Sequence, residues 1–284
     1  MGTFYKFEIR GNEFLKNNTT GCYSIDFLSY GQSGQLSFLH KLKNDCLKNS
    51  DYDLFKSKDE AVNKIYNFLI DLNSYSMKCN REDSLAFYNY PRGVTCILFK
   101  TNPIPKIRIA FAEKNVFGTN VYVCRVPRSK ANMQDTQLLF QLAIREAIEL
   151  VNDEWSLYNK ENNTNYELID GINCIKRIKD VPTTHLTGDR AYPGITKDSC
   201  FISDEVYGKT ILLIDDIYTL GVGVVEDCIQ ALYDKGAKEV IFYAVGRTVK
   251  NRNTPAKKIS LNSENYFDID NKTPEIDIDD EILF

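Results

Sequence analysis

Thr210-Ile211-Leu212-Leu213-Ile214-Asp215-Asp216-Ile217-Tyr218-Thr219-Leu220-Gly221-Val222-Gly223 decides the fold class. Its opening residues are almost wholly apolar, which is how a strand covered on both faces reads. The acids Asp215 and Asp216 are expected to end that strand. Gly221 and Gly223 predict a tight loop, since glycine takes positive φ at no steric cost. Val225, Cys228, Ile229 and Leu232 then recur at helical spacing, and Gly236 stands where a glycine closes a helix. Val240 to Val245 is apolar again. Strand, helix and strand within roughly three dozen residues predict a βαβ crossover, and with it a parallel sheet.

Moving outward, Asn120 to Val126 reads as a strand that stops at Pro127, which cannot continue an interior ladder. Phe140, Ala143, Ile144, Ala147 and Val151 predict a helix, and Ile172 to Ile178 a further strand. Val94 to Phe99 and Ile107 to Ala112 also read as strands. Near the start, Tyr5, Phe7 and Ile9 alternate with Lys6, Glu8 and Arg10, the period of a half-exposed strand. Ser57 and Glu60 fit a capping box, behind which Ala61, Ile65, Phe68, Leu69 and Leu72 keep one helical face apolar. The expected organisation is an N-terminal α+β region over 1–92, an α/β core over 93–250 with an open, mostly parallel twisted sheet, and a polar, acidic tail over 251–284.

Composition narrows the function classes. A net charge of -4 gives no basic bias toward nucleic acid. No run of about 18 apolar residues suggests a membrane span. The start, Met1-Gly2-Thr3-Phe4-Tyr5-Lys6, lacks the apolar stretch of a signal peptide, so a cytoplasmic location is expected. None of the 8 cysteines forms a C-x-x-C pair, which fits reduced thiols. A zinc site would need distant cysteines with only His40 and His185 to help.

The strand–acid–loop–helix unit has a definite chemistry. In a parallel sheet, ligands sit at the carboxyl ends of the strands. A helix N-terminus offers free N–H groups and a positive dipole end to an anion. Carboxylates accept hydrogen bonds from hydroxyls. Acids beside a glycine loop therefore suit a ligand with a phosphate and a neighbouring diol, such as a sugar phosphate. A dinucleotide site fits less well, because its Gly-x-Gly-x-x-Gly run should follow the strand directly.

Leu212-Leu213-Ile214-Asp215-Asp216-Ile217-Tyr218-Thr219-Leu220-Gly221 resembles the 5-phosphoribosyl-1-pyrophosphate (PRPP) motif of type I phosphoribosyltransferases, closest to the competence-protein-F-like branch. Val126-Pro127-Arg128-Ser129-Lys130 is similar to that family's pyrophosphate loop. Lys176 to Leu186, with Asp189-Arg190, looks like its basic segment and flexible loop. The resemblance implies a Rossmann-like phosphoribosyltransferase fold. It implies that Asp215 and Asp216 face the ribose hydroxyls, while Thr219, Leu220, Gly221, Val222 and Gly223 hold the 5-phosphate. Pro127, Arg128, Ser129 and Lys130 would receive pyrophosphate, and Arg190 would stabilise charge on closure of the segment 179–203. Mg²⁺ would bridge ligand oxygens, reached by Asp215 and Asp216 through ribose or water. His185 is an alternative base in the closing segment. Homodimer formation is also consistent with the family.

The chain departs from the motif at Leu220 and Gly223, where the family places hydroxyl residues. Each lost hydroxyl removes a hydrogen bond to a charged group, about 1.5–3 kcal/mol. Residues 1–92 lack the zinc-ribbon cysteines of that branch. Two expectations follow: a phosphoribosyltransferase releasing pyrophosphate to a nitrogen nucleophile, or a non-catalytic nucleotide-sensing effector, for example a toxin or defence component. The second would engage a protein through residues 1–92 or through the tail ending in Ile282-Leu283-Phe284.

Overall fold

The computed structural model describes residues 4–27, 37–43, 50–78, 120–133, 135–163, 165–182, 192–248 and 258–259. The strands expected at 94–99 and 107–112, the segment with His185 and Arg190, and the acidic end of the chain lie outside the described residues. The strands are β1 (Phe4–Ile9), β2 (Thr19–Phe27), β3 (Asn120–Arg125), β4 (Glu167–Asp170), β5 (Ile175–Arg177), β6 (Cys200–Ile202), β7 (Thr210–Tyr218), β8 (Glu239–Thr248) and β9 (Lys258–Ile259). The helices are α1 (Ser37–Lys43), α2 (Asp51–Lys78), α3 (Leu139–Asn162) and α4 (Val224–Asp234).

One mixed sheet runs in the order β4-β3-β7-β8-β2-β1-β9, and β5 pairs with β6 apart from it. Every pairing from β4 to β2 is parallel. The β2–β1 and β1–β9 pairings are antiparallel. The chain is thus α/β, with a mostly parallel sheet flanked by helices. No helix among the described residues is long and apolar enough to cross a membrane.

The βαβ unit behaves as its sequence predicts. β7 and β8 pair in parallel, Thr210 opposite Glu239, with α4 between them. Ile211, Leu212, Leu213 and Ile214 are fully buried, as befits a strand with a core on each side. On one side α1, α2 and α3 pack over Val121, Val123, Leu212, Ile214 and Tyr243. On the other, Val225, Cys228, Ile229 and Leu232 of α4 pack on Ile211, Leu213, Val240 and Phe242. Gly236, at φ +88°, ends the helix. Its N–H donates to Tyr233 O (2.9 Å) and the Ala237 N–H to Leu232 O (3.0 Å), the paired bonds of a Schellman close.

Three local expectations are corrected. The Ser57–Glu60 capping box is not used, because α2 begins about two turns earlier. There the Ser50 Oγ accepts the Asp53 N–H (3.2 Å) and donates to Asp53 Oδ2 (2.9 Å), so an equivalent box lies at Ser50–Asp53. Ser57 sits inside the helix and donates back to Asp53 O (2.6 Å). The strand expected over Ile172 to Ile178 is a 3₁₀ turn at Ile172–Cys174 followed by the short β5. The Ile172 N–H is captured by Asp170 Oδ1 (3.0 Å) and the Cys174 N–H by Gly171 O (2.9 Å), which turns the chain before it can extend. Lastly, Asp215 and Asp216 do not end β7, which runs on to Tyr218.

The described part of residues 1–92 shares the sheet and the core of the later strands. β2 lies beside β8, with Cys22 opposite Tyr243. Phe68 of α2 stacks on Tyr243 with centroids 3.8 Å apart. Among the described residues, Cys124, Cys174, Cys200 and Cys228 are free thiols.

Candidate functional site

The topology singles out one point on the sheet. From β3 the chain crosses through α3 to β4, and from β7 through α4 to β8, which lies on the opposite side. Right-handed crossovers in opposite directions put their helices on opposite faces. The two cores are divided accordingly, α3 in one and α4 in the other. The loops leaving β3 and β7 therefore diverge, and such a switch point at the carboxyl ends of parallel strands is where α/β sheets take ligands. Asp215, Asp216 and the loop after them are at this point, as are Pro127, Arg128, Ser129 and Lys130.

Asp215 and Asp216 are half-buried. The last ladder bond from β3 is the Val126 N–H to Ile214 O (2.9 Å), and Pro127 then offers no donor. Beyond it the β7 amides turn to their own side chains. The Asp216 N–H donates to Asp215 Oδ1 (2.8 Å) and the Ile217 N–H to Asp216 Oδ1 (2.7 Å). The two cores record the local twist: Ile211 and Leu213 face α4, and Leu212 and Ile214 face α3, yet Ile217 faces α3 and Tyr218 faces α4. The regular alternation breaks at the acid pair.

The loop expected to hold phosphate is only partly open. Gly221, at φ +84°, has open space where a Cβ would sit, and Leu220 is 67% exposed. Gly223, at φ +80°, precedes the first turn of α4, and a Cβ there would overlap the Phe14 ring. Phe14 reaches it because residues 10–18 fold along α4, held where the Lys16 N–H donates to Gln230 Oε1 (2.9 Å) and Lys16 Nζ meets Asp234 (3.1 Å). The Thr219 and Thr248 hydroxyls share a hydrogen bond (2.8 Å), and the Val222 N–H turns back to Thr219 O (3.4 Å). The first turn of α4 also carries Glu226 and Asp227, whose charge opposes an anion at that helix end.

The loop 126–131 is anchored from behind. The Val181 N–H donates to Ser129 O (2.9 Å), Lys130 Nζ pairs with Asp180 Oδ2 (3.0 Å), and the Ala131 N–H donates to Asp180 Oδ1 (2.8 Å). Arg128 donates to Gln137 O (3.1 Å), and Pro127 is buried. Arg177, which the sequence groups with the basic segment, points inward. Its guanidinium donates to Arg128 O (2.8 Å), Pro193 O (2.9 Å) and Ser199 Oγ (2.5 Å), tying the loop to residues 193–199.

Sequence reasoning missed Arg125. It closes β3 in register with Ile214, the residue just before the acid pair. It is 8% exposed. Burial brings its pKa down to about 10, with the Arg128 charge pushing the same way, while Asp215 and Asp216 hold it up. It therefore stays cationic at neutral pH, set against both carboxylates. Mg²⁺, which the resemblance implies, would be held by ligand oxygens, with Asp215 and Asp216 reaching it through ribose or water. The residues present make no resident metal site: no group of three or more metal-ligating side chains occurs among the described residues, and each carboxylate has one oxygen committed to an amide.

On the α4 face, Glu226 is 1% exposed and accepts from the Tyr218 hydroxyl (2.9 Å), while its other oxygen has no partner among the described residues. Burial raises its pKa above the usual carboxylate range, against smaller lowering contributions from its own backbone amide and from Tyr218. A raised folded pKa means the folded chain holds this proton more tightly than the unfolded one. Its contribution is favourable below the ordinary glutamate pKa and is lost as pH rises through the raised value. Glu226→Gln keeps the acceptor for Tyr218 and removes the titration. Urea midpoints should then show the wild type losing about 1–3 kcal/mol relative to the variant between mildly acidic and alkaline pH. Parallel curves would assign the buried carboxyl no such cost.

A cavity of about 310 Å³ lies along α4, lined by residues that include Phe14, Lys16, Thr196, Asp227 and Gln230, and by neither Asp215 nor Asp216. Several of its polar walls are paired with one another or with adjoining backbone. Asp227 accepts from the Ile195 N–H (2.6 Å) and the Thr196 hydroxyl (2.6 Å), and Gln230 Nε2 donates to Asp234 (2.7 Å). The cavity is a seam between packed segments, and the switch point remains the better candidate. No protein-family model matches the chain, and no curated protein matches it.

Proposed function

We propose that the switch point between β3 and β7 binds a phosphorylated ribose, and that the protein is a phosphoribosyltransferase-like enzyme. The observation that carries this reading is the placing of Asp215 and Asp216, flanked by a glycine loop, where oppositely directed crossovers part. The β3–α3–β4 and β7–α4–β8 units with an intervening β5–β6 hairpin also suit a Rossmann-like phosphoribosyltransferase core. The Asp215 and Asp216 carboxylates accept from the ribose hydroxyls. The open backbone at Gly221 receives the 5-phosphate. In the reaction, a nitrogen lone pair forms a bond to the anomeric carbon as the bond to the pyrophosphate oxygen breaks. The electron pair leaves with pyrophosphate, and Arg128 and Lys130 stand on that side to stabilise it. Among the described residues Lys130 is held by an exposed ion pair with Asp180, which a pyrophosphate can exchange.

Calorimetry with PRPP and with ribose 5-phosphate tests the site. Asp215→Ala with Asp216→Ala should weaken binding about a hundredfold or more, since hydrogen bonds to charged groups are lost on both hydroxyls. Equal affinity in the double variant would remove the assignment.

A second reading is favoured by Phe14 over Gly223 and by the exposed Leu220 in place of a hydroxyl. Both weaken phosphate binding and suit a non-catalytic sensor of a phosphorylated nucleoside that signals to a protein partner. Pyrophosphate release from PRPP with a mixed pool of nitrogen acceptors decides between them: release supports the enzyme, and tight ligand binding without release supports the sensor.

A further inference from the structure

We propose that α3 closes the outer edge of the sheet at β4, and that this closure keeps a second copy of the chain from adding its own strand there. The inference stands apart from the ribose-phosphate reading. β4 is the last strand at one end of the sheet, so one side of its backbone has no strand beside it. Such an edge offers a row of N–H and C=O groups that another chain can pair with. The hydrogen bonds to β3 show which residues face outward. The Gly171 N–H donates to Val123 O (3.0 Å), toward β3. Backbone groups alternate along a strand, so those of Tyr166 and Leu168 point away from β3.

Both are taken by side chains of α3. Asn152 Nδ2 donates to Leu168 O (2.8 Å), and the Leu168 N–H donates to Asn152 Oδ1 (2.8 Å). Asn159 Nδ2 donates to Tyr166 O (2.9 Å), and the Tyr166 N–H donates to Asn159 Oδ1 (3.0 Å). A carboxamide carries a carbonyl acceptor and an NH₂ donor. It therefore exchanges with each edge residue the same pair of bonds that an antiparallel strand would. Arg145 Nε continues the row by donating to Asp170 Oδ2 (2.7 Å). Arg145, Asn152 and Asn159 follow one another at seven-residue spacing, which sets them in one stripe down the helix. Asparagine is a weak helix former, and these two are explained by what they bind rather than by the helix. Leu168 is 4% exposed and both asparagines are half-buried, which shields the bonds from water. Sheets commonly protect an edge with charge, proline or a bulge. Here the helix that precedes β4 supplies a side-chain substitute for the missing strand, and a strand from another molecule finds the edge groups of Tyr166 and Leu168 already paired.

The test uses the full chain. Asn152→Leu with Asn159→Leu keeps the helix and the side-chain size while removing all four bonds. Sedimentation over a concentration series should show the mass of this variant rising to at least about twice that of the wild type, as edge-to-edge pairing of two copies requires. Amide hydrogen exchange locates the contact. The Tyr166 and Leu168 amides should exchange at least about tenfold more slowly in the wild type than in the unassociated variant. The Gly171 amide, which faces β3, should be unchanged. In the associated fraction the Leu168 amide should regain its protection, and association without that protection overturns the proposal. A role confined to stability would lower the urea midpoint and leave the mass alone, so a folded double variant with the wild-type mass at every concentration also overturns it. So does a wild-type Leu168 amide that exchanges as in an unfolded chain, a result that needs no variant to fold. If the double variant does not fold, Asn159→Ser alone, which frees only the edge groups of Tyr166, carries the same comparison of mass.

Discussion

Arg177→Met should lower the stability of the chain by about 3–5 kcal/mol, the range seen when one partner of a buried charged contact is removed. The argument starts from burial. Arg177 is 9% exposed, and its guanidinium donates to three acceptors: Arg128 O, Pro193 O and Ser199 Oγ. Methionine fills a similar length of side chain, so the loss is one of hydrogen bonds rather than of packing. The Pro193 carbonyl keeps a weaker share through the Ser199 hydroxyl (3.0 Å), but nothing described replaces the donor to Arg128 O. Each buried acceptor left without a donor costs about 1–3 kcal/mol. Arg177→Lys should recover only part of the loss, because an ammonium cannot fork across acceptors set in different directions. Urea denaturation measures both variants. A loss under about 1 kcal/mol for the methionine variant would mean that water reaches these carbonyls and that Arg177 is no anchor. A functional effect follows from the same bonds: with Arg177 gone, Arg128 loses its backbone restraint, and affinity for an anion at the switch point should fall with it.

The residues that were legible in the sequence are those whose local pattern and tertiary role agree. The run from Thr210 to Ile214 is apolar because both faces of β7 are covered. Gly236 reads as a helix end because the Schellman bonds there need positive φ. Elsewhere a tertiary partner decides what the pattern leaves open. β4 is short and only Leu168 of it is buried, so no periodicity marks it. Ser57 and Glu60 fit a cap as well as Ser50 and Asp53 do, and what separates them is that Leu54 and Ser57 are buried and draw the helix back to Asp51. The site divides in the same way. The acid pair and the glycine loop were visible as a motif. Arg125 was not, because a charged residue ending an apolar strand usually reaches water, and only the approach of β7 shows that this one does not. Arg177 misled for the complementary reason: in a basic, polar segment it reads as a ligand-facing charge, while three backbone and side-chain acceptors turn it inward.

Phe68→Ala should cost about 3–5 kcal/mol, and the loss should appear in a single transition. Phe68 is 2% exposed on α2, stacked on Tyr243 of β8, which is fully buried. Such a pair adds roughly 0.5–1.5 kcal/mol to the area it buries. The Tyr243 hydroxyl shares a hydrogen bond with Ser24 Oγ (2.7 Å) and donates to Lys64 O (3.4 Å), so one side chain joins α2, β2 and β8. Truncation opens a cavity at the place where the N-terminal elements meet the strand next to the acid pair. Trp155, the only tryptophan, lies on α3 in the same core and reports that core without labelling. If α2 and the sheet are one cooperative body, Trp155 fluorescence and far-ultraviolet circular dichroism should shift together to a lower urea midpoint. If residues 1–92 instead form a hood that folds by itself, dichroism should fall early while the Trp155 midpoint moves by less than the equivalent of about 1 kcal/mol. The first result would make α2 and the first strands part of what holds β7 and β8 in register. Changes at α2, far from Asp215 in sequence, would then weaken ribose-phosphate binding through the scaffold. The second would free that surface to serve a partner or an acceptor.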